Sequence, residues 1–255
     1  MLLFTNLGRY GRLGNQMFQY AALKGMARKH GYEIGIPPSN NINEYSDHQL
    51  LHHFNLSKDV SVGNFQPRFS YQEQSFSFNP YIFETVLDGT DLMGHFQSEK
   101  YFKHIRNELL SDFTLKNNNV SSPDGSYVAI HVRRTDYTTQ VNLQYHSVCS
   151  EDYYSKAIAY LGKENNFVVL SDDIQWCKQQ EIFRGCEFWE GNSNIEDLYV
   201  MTKAKHNIIA NSSFSWWGAW LNNNPHKIVI APKKWFGPTA GLDESDIIPD
   251  EWIKL

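Results

Sequence analysis

The sequence predicts an α/β protein whose C-terminal half is a parallel sheet wrapped by helices, Rossmann-like. Two observations predict it. From residue 127 onward, short apolar runs rich in Val and Ile alternate with stretches of helical period. Several of these runs also end in polar side chains, at the carboxyl ends of strands where open α/β sheets bind ligands.

Taken in order, residues 2–7 read as a first strand. Gly8, Gly11 and Gly14 follow it, and 17–30, rich in Ala, Leu, Met and Lys, reads as a helix. Strand, glycine turn and helix can form a phosphate cradle, because glycine lets backbone N–H groups approach and a helix N-terminus carries partial positive charge. The GxxGxxG spacing matches neither the dinucleotide fingerprint nor a P-loop, and it serves equally as a tight turn. Residues 40–80 are rich in Asn, Ser, Gln and Phe, around 40–43 and 71–80. Within them 71–78 alternates apolar and polar residues, as a short exposed strand does. Residues 94–102 then precede a helical run to about Leu110. Aromatics beside amides and carboxylates suit a sugar site, and they suit a solvated groove rim as well. The stretch 117–125 is polar, with Pro123 and Gly125 near its end, and reads as the linker between two domains, 1–120 and 121–255.

Beyond the linker the expected order is strand 127–132, helix 151–162, strand 167–170 and a helix after Asp173. A short strand at 187–189, helix 195–205, strand 207–210, helix 214–221 and strand 227–230 complete it. The first of these strands runs without a turn residue into His131, Arg133, Arg134 and Asp136. Desolvating a guanidinium without a partner is costly, and a diphosphate suits planar, permanently charged forks. Strand alternation puts His131 and Arg133 on one face and Arg134 on the other. Arg133 is therefore assigned to the ligand, and Arg134 to bracing a neighbouring element. Strand 167–170 runs into Ser171, Asp172 and Asp173, and strand 207–210 into Asn211, Ser212 and Ser213. Either set fits helix capping, and Ser212 and Ser213 also fit phosphate. Asp197 suits a helix dipole and equally a purine's donors. Their convergence on the sheet edge that carries Arg133 favours a nucleotide site.

A net charge of −5 with no basic tract argues against nucleic acid as a principal partner, whereas basic side chains gathered at 131–134 suit a small anion. Hydrophobic residues at 41% over 255 positions supply core for one large or two modest domains. Cys149, Cys177 and Cys186 are odd in number and lack metal-ligand spacing, so they read as reduced thiols of a cytoplasmic protein. The apolar start of the chain is too short for a signal peptide or an integral membrane segment; peripheral attachment at the inner membrane face stays open.

Five motifs then resemble one family: GRLGNQMFQYA (11–21), GHFQSEKYF (94–102), HVRRTDY (131–137), the SDD of 171–173, and NSSFSWWGAWL (211–221). In this order they resemble the bacterial-type α-1,2-fucosyltransferases, glycosyltransferase family eleven. HVRRTD by itself is similar to a motif of α-1,6- and protein O-fucosyltransferases. The family commonly has Gly where this chain has Thr135, a change reminiscent of the α-1,6 branch.

The resemblance implies a GT-B-like fold of two Rossmann-type domains with a cleft between them. It implies an acceptor-side domain at 1–120 and a GDP-fucose-binding domain at 121–255. The implied reaction is inverting, metal-independent transfer of L-fucose from GDP-β-L-fucose to O2 of a terminal β-galactoside in a glycan, without a cofactor. By position, Arg133 holds the β-phosphate, His131 lies near the nucleotide, Asp197 reads guanine and Ser213 contacts phosphate, with Asp172 and Ser212 beside them. Gly14 and Asn15 approach the diphosphate. Asp136 is the first candidate for general base, against an ion pair orienting Arg134; Glu99 and Glu73 are alternates, with Gln97, on the acceptor side. The competing readings are an α-1,6- or protein O-fucosyltransferase with the same donor site, and a non-catalytic nucleotide-sugar or glycan-binding module.

Overall fold

A computed structural model describes residues 1–39, 47–117 and 120–255. The 40–43 stretch and two positions of the 117–125 linker lie outside the described residues. The chain forms two compact units, Met1–Asn118 with Asp243–Pro249, and Asn119–Leu242 with Asp250–Leu255.

In the first unit the elements run β1 (Leu2–Leu3), α1 (Leu13–His30), β2 (Ile34–Ile36), α2 (Leu50–His53), β3 (Val60–Val62), β4 (Phe69–Gln72), α3 (Pro80–Thr85), β5 (Thr90–Met93) and α4 (Arg106–Asp112). The strands form one parallel sheet in the order β3-β2-β1-β5-β4. β1 is shorter than the expected 2–7, because the chain peels away at Thr5, whose N–H and hydroxyl both donate to Asp91 at 2.7 and 2.6 Å. α1 starts at Leu13 rather than 17. Its first amides make tertiary contacts: Gln16 Nε2 donates to Gly11 O, and Gln19 Nε2 donates to Tyr10 O and Gly94 O. Such residues read as a turn in sequence, yet here they anchor a helix. Gly31 ends it in the left-handed region (φ 69°), its N–H on the carbonyls of the last turn. The strand expected at 71–78 overlaps β4 only at Tyr71 and Gln72, and 73–78 lies outside the strand. The helical run expected after 102 begins as two 3-10 turns, Glu99–Tyr101 and Lys103–Ile105, before α4. Asp246, from the returning segment, accepts the Phe78 N–H at 2.9 Å and pairs with Lys100.

The second unit contains β6 (Val128–Val132), α5 (Glu151–Leu161), β7 (Phe167–Ser171), α6 (Ile174–Gln179), β8 (Glu187–Phe188), α7 (Asn194–Lys203), β9 (His206–Ile208), α8 (Ser213–Leu221), β10 (Val229–Ala231) and β11 (Ile253–Lys254). All pairings are parallel, in the order β8-β7-β6-β9-β10-β11. Numbered within the unit this is 3-2-1-4-5-6, the Rossmann order. Its reversal point lies between β6 and β9. Every residue of β6 is buried, as a strand covered on both faces requires. On α8, Trp216, Trp217 and Trp220 pack together and against Trp252, Trp216 lying 5.0 Å from Trp217 and 5.4 Å from Trp252. Their burial, worth roughly 1.5–3 kcal/mol for each large apolar side chain, seats this helix firmly. Its first turn is thereby held at the sheet edge. Among the described residues no helix is long and apolar enough to cross a membrane.

Candidate active site

The reversal point of the second sheet gathers His131, Arg133, Ser212 and Ser213. Ligands in open α/β folds bind outside the strand ends at that point. β6 delivers His131 and Arg133 on one side of it, and the turn after β9 delivers Ser212 and Ser213 on the other.

Arg133 is largely buried and sits between two carboxylates. Its Nη2 donates to Asp136 Oδ1 at 2.6 Å, and its Nη1 lies 3.2 Å from Asp172 Oδ2. The sequence-based pairing of Asp136 with Arg134 is corrected here. β6 ends at Val132, and the 3-10 turn Asp136–Thr138 carries Asp136 back to the side chain three residues earlier. Arg134 faces elsewhere and does brace a neighbour. Its guanidinium stacks 3.7 Å from the ring centroid of Trp176 on α6, and its Nε lies 3.5 Å from Asp173.

The two aspartates after β7 have different work. Asp173 caps α6, accepting the Trp176 N–H at 3.3 Å. Asp172 accepts the Arg134 N–H at 2.9 Å and the Thr135 hydroxyl at 2.5 Å. Both its oxygens are thus engaged by the loop that follows β6.

His131 is buried, and burial holds its imidazole down at about 4, so the ring is neutral at pH 7. Its Nδ1 has no hydrogen-bond partner. The ring packs 5.5 Å from Phe214 in the first turn of α8. Ser212 stands at the N-cap of α8 without a side-chain cap hydrogen bond, so the capping role open to it in sequence is not realised. The first-turn amides of α8 therefore have no hydroxyl cap, which is the condition for an anion site at a helix N-terminus.

Asp197 lies in the first turns of α7, behind a capping box of Ser193 and Glu196. Its carboxylate is half-buried and is pushed up to about 7, by burial first and then by Glu196. No hydrogen bond or ion pair ties it to Arg133, His131 or the serines.

Sequence reasoning missed what stands behind Arg133. Tyr137 stacks on His146 at 4.3 Å and 8°, and the Arg133 guanidinium lies 5.5 Å from the Tyr137 ring. The Tyr137 hydroxyl donates to Asn211 O, and the Asn211 amide donates to Ser147 O and Trp235 O. Asn211 so ties the post-β9 turn to the segment carrying His146. The signal was the Tyr in HVRRTDY, but its partner lies in a stretch without periodicity.

In the first unit, the reversal point between β1 and β5 brings the glycine loop beside 94–97. Gln97 Nε2 donates to Asn15 Oδ1 at 2.8 Å, while Gln97 Oε1 is buried without a partner. Gly11 must lack a side chain: its φ is 94°, and a Cβ would lie 1.9 Å from Asn15 Nδ2. Gly14 is buried in the first turn of α1. Glu73 accepts the N–H groups of His95 (2.6 Å) and Phe96 (3.0 Å). Burial pushes its carboxyl up to about 7 in spite of them. Phe96, at φ 51°, is held in the left-handed region that non-glycine residues seldom occupy. Glu99 is buried at the start of a 3-10 turn. Asn15, Gln97 and Glu73 thus share one sheet edge. Among the described residues no group of three or more His, Cys, Asp or Glu side chains could hold a metal ion.

A match to Glycosyl transferase family 11 extends over residues 3–255. The chain belongs to glycosyltransferase family 11. An α-1,2-colitosyltransferase of Escherichia coli is 35% identical, over 96% of this chain and 96% of its own. The galactoside 2-α-L-fucosyltransferase Sec1 of Mus musculus is 27% identical, over 93% of this chain and 74% of its own. In structure, the α-1,6-fucosyltransferase NodZ from a crystal soaked with GDP-fucose matches with a TM-score of 0.52 at 12% identity, covering 86% of this chain and 91% of that one. That is a likeness of fold, and the two Rossmann-type units of this family 11 glycosyltransferase are of the GT-B class.

Proposed function

We propose that this glycosyltransferase moves L-fucose from GDP-β-L-fucose to O2 of a terminal β-galactoside, with inversion and without a metal ion. The observation that carries the reading is the pairing, across one sheet reversal point, of the Arg133 fork with the uncapped first turn of α8. A guanidinium and a helix N-terminus at the carboxyl ends of two adjacent strands suit a diphosphate. Asp197 adds a carboxylate for the donors of guanine, and the neutral His131 adds a ring edge beside them.

The acceptor oxygen attacks the anomeric carbon as the bond to the β-phosphate breaks, and GDP departs with the electron pair. Arg133 and the α8 amides meet the negative charge that grows there, as preorganised donors do. The hydroxyl proton passes to Asp136, with Glu73 and Glu99 as alternates on the acceptor-side unit beside Gln97.

A second donor has a specific observation in its favour. The 35% identical relative is named for colitose, which is L-fucose without its 3-hydroxyl. A site built to bond that hydroxyl rejects the deoxy sugar by several orders of magnitude, whereas a site that ignores it accepts both. The test is transfer from GDP-fucose and GDP-colitose, in EDTA, to a panel of β-galactosides, with linkage analysis of the products. Transfer to O2 is expected. Products linked elsewhere, or no transfer from either donor, would overturn the proposal.

A further inference from the structure

We propose that Thr135 is a positioning residue: its hydroxyl, acting through Asp172, sets the plane in which Arg133 presents its N–H groups to the departing phosphate. The inference rests on the donor-site reading above and adds to it a residue outside the expected ligand set.

The geometry follows from strand register. β6 and β7 pair in parallel with Val132 opposite Ser171, so Arg133 and Asp172 leave the sheet side by side. A guanidinium on a flexible stem does not keep one orientation unless its neighbours are themselves fixed. Asp136 supplies one such neighbour and Asp172 the other. Asp172 is held from outside its pair with Arg133, by the Arg134 N–H on Oδ1 and by the Thr135 hydroxyl on Oδ2. Thr135 and Arg133 therefore share one oxygen.

Sharing has an electrostatic consequence. An oxygen that already accepts a hydroxyl is a weaker partner for a cation beside it. Accordingly Arg133 lies 3.2 Å from Asp172 but 2.6 Å from Asp136. The hydroxyl keeps Asp172 close enough to orient Arg133 without neutralising it against an incoming phosphate. It also assigns Asp172 a different task. A carboxylate with both oxygens engaged by its own chain is a brace for the arginine, and a poor direct contact for a diphosphate. Glycine at this position would supply no hydroxyl, and the Asp172 carboxylate could turn.

The experiment compares Thr135→Val, Thr135→Ser and Asp172→Asn, each with thermal unfolding, GDP affinity and steady-state kinetics. Val matches the shape of Thr without the hydroxyl, and Ser restores it. We expect Val to lower kcat about tenfold with donor KM changed by less than about threefold, and Ser to remain within about twofold of the parent. In the Asp172→Asn background Thr135→Val should add almost nothing, because the two act as a unit. A crystal structure of Thr135→Val should show the Asp172 carboxylate turned and the Arg133 guanidinium drawn with it out of its parent plane. Equal damage from Ser and Val, additive losses in the double variant, or an unmoved Arg133 would overturn the inference while the parent still turns over donor. A parent that neither binds GDP nor transfers the sugar would instead overturn the donor-site reading, and this inference with it.

Discussion

Nη1 of Arg133 and Oδ2 of Asp172 lie 3.2 Å apart at the carboxyl ends of two adjacent parallel strands. With Asp136 on Nη2, the arginine is clamped from two sides. A guanidinium offers more N–H groups than two carboxylate contacts occupy. The remainder can meet an anion in a fixed plane, and this arrangement yields the first prediction.

Arg133→Lys keeps the charge and loses the fork. It should lower kcat by about 10²-fold, the scale for removing one transition-state hydrogen-bond donor. Arg133→Ala should cost more, and should also lower the melting temperature, because Asp136 and Asp172 then face each other without a cation. Saturating-donor kinetics beside thermal unfolding checks both. Turnover near the parent level in the lysine variant would remove the fork from the leaving-group role.

Asp136→Asn leaves a carbonyl for Arg133 and removes the proposed base. The expected result is a kcat loss of about 10²-fold or more with GDP affinity nearly unchanged. Parallel losses of turnover and of GDP binding would make Asp136 a brace alone.

For Glu73, burial raises the native carboxyl from 4.5 to about 7, so the folded state holds its proton more tightly than the unfolded chain. The stabilisation is complete below 4.5 and disappears as pH rises through 7. Glu73→Gln should therefore flatten the fall of melting temperature with pH across that window. Unfolding profiles that run parallel from pH 4.5 to 7 would contradict the assignment.

Asp197 is raised from 3.8 to about 7, by burial above all, and a guanine's N–H groups favour its ionised form. Binding must then displace a proton at acidic pH. GDP-fucose affinity should weaken towards tenfold per pH unit below 7, and Asp197→Asn should bind weakly with no such slope. GDP-fucose suits calorimetry here because both its phosphates are esterified. A flat profile for the parent between pH 5.5 and 8 would detach Asp197 from the base.

Lys24 and Asp112 form a buried ion pair at 2.5 Å, with Tyr20 also donating to Asp112. Lys24→Met leaves that carboxylate without its cation and should cost about 3–5 kcal/mol. Urea unfolding measures it, and a loss under about 1 kcal/mol would mean that Asp112 is satisfied by its other donors.

The order of elements in the second unit could be read from the chain because each strand there is a Val- or Ile-rich run between helices. The abrupt change from Ile130 to Arg133 also marked a strand end correctly. The first unit resisted, since Ile34–Ile36 and Val60–Val62 are too short to show a period. The Gly14-Asn15-Gln16 stretch reads as turn from its residue types, yet it is helical, with Asn15 and Gln16 accepting from Gln97 Nε2 and the Gln49 N–H. At the site, the two arginines separated as expected, although both lie beyond the last residue of β6. The partner of Asp136 did not follow, because it depends on a single 3-10 turn. The Tyr137–His146 stack depends on that turn and the next one, Asn142–Gln144, and neither has a pattern that marks it in sequence.

Asp243–Pro249 belongs to the N-terminal unit although it comes from the far end of the chain, and β11 begins four positions after Pro249. Severing the backbone near residue 120 would give an amino-terminal fragment whose Lys100 and Phe78 have lost Asp246. The amino-terminal piece would lack part of its own unit, whereas the carboxyl-terminal piece would carry its own unit and the segment that the other one needs. Reconstitution from two polypeptides would need the carboxyl-terminal piece to donate seven of its own residues to the other, which makes complementation a direct assay of that borrowed segment.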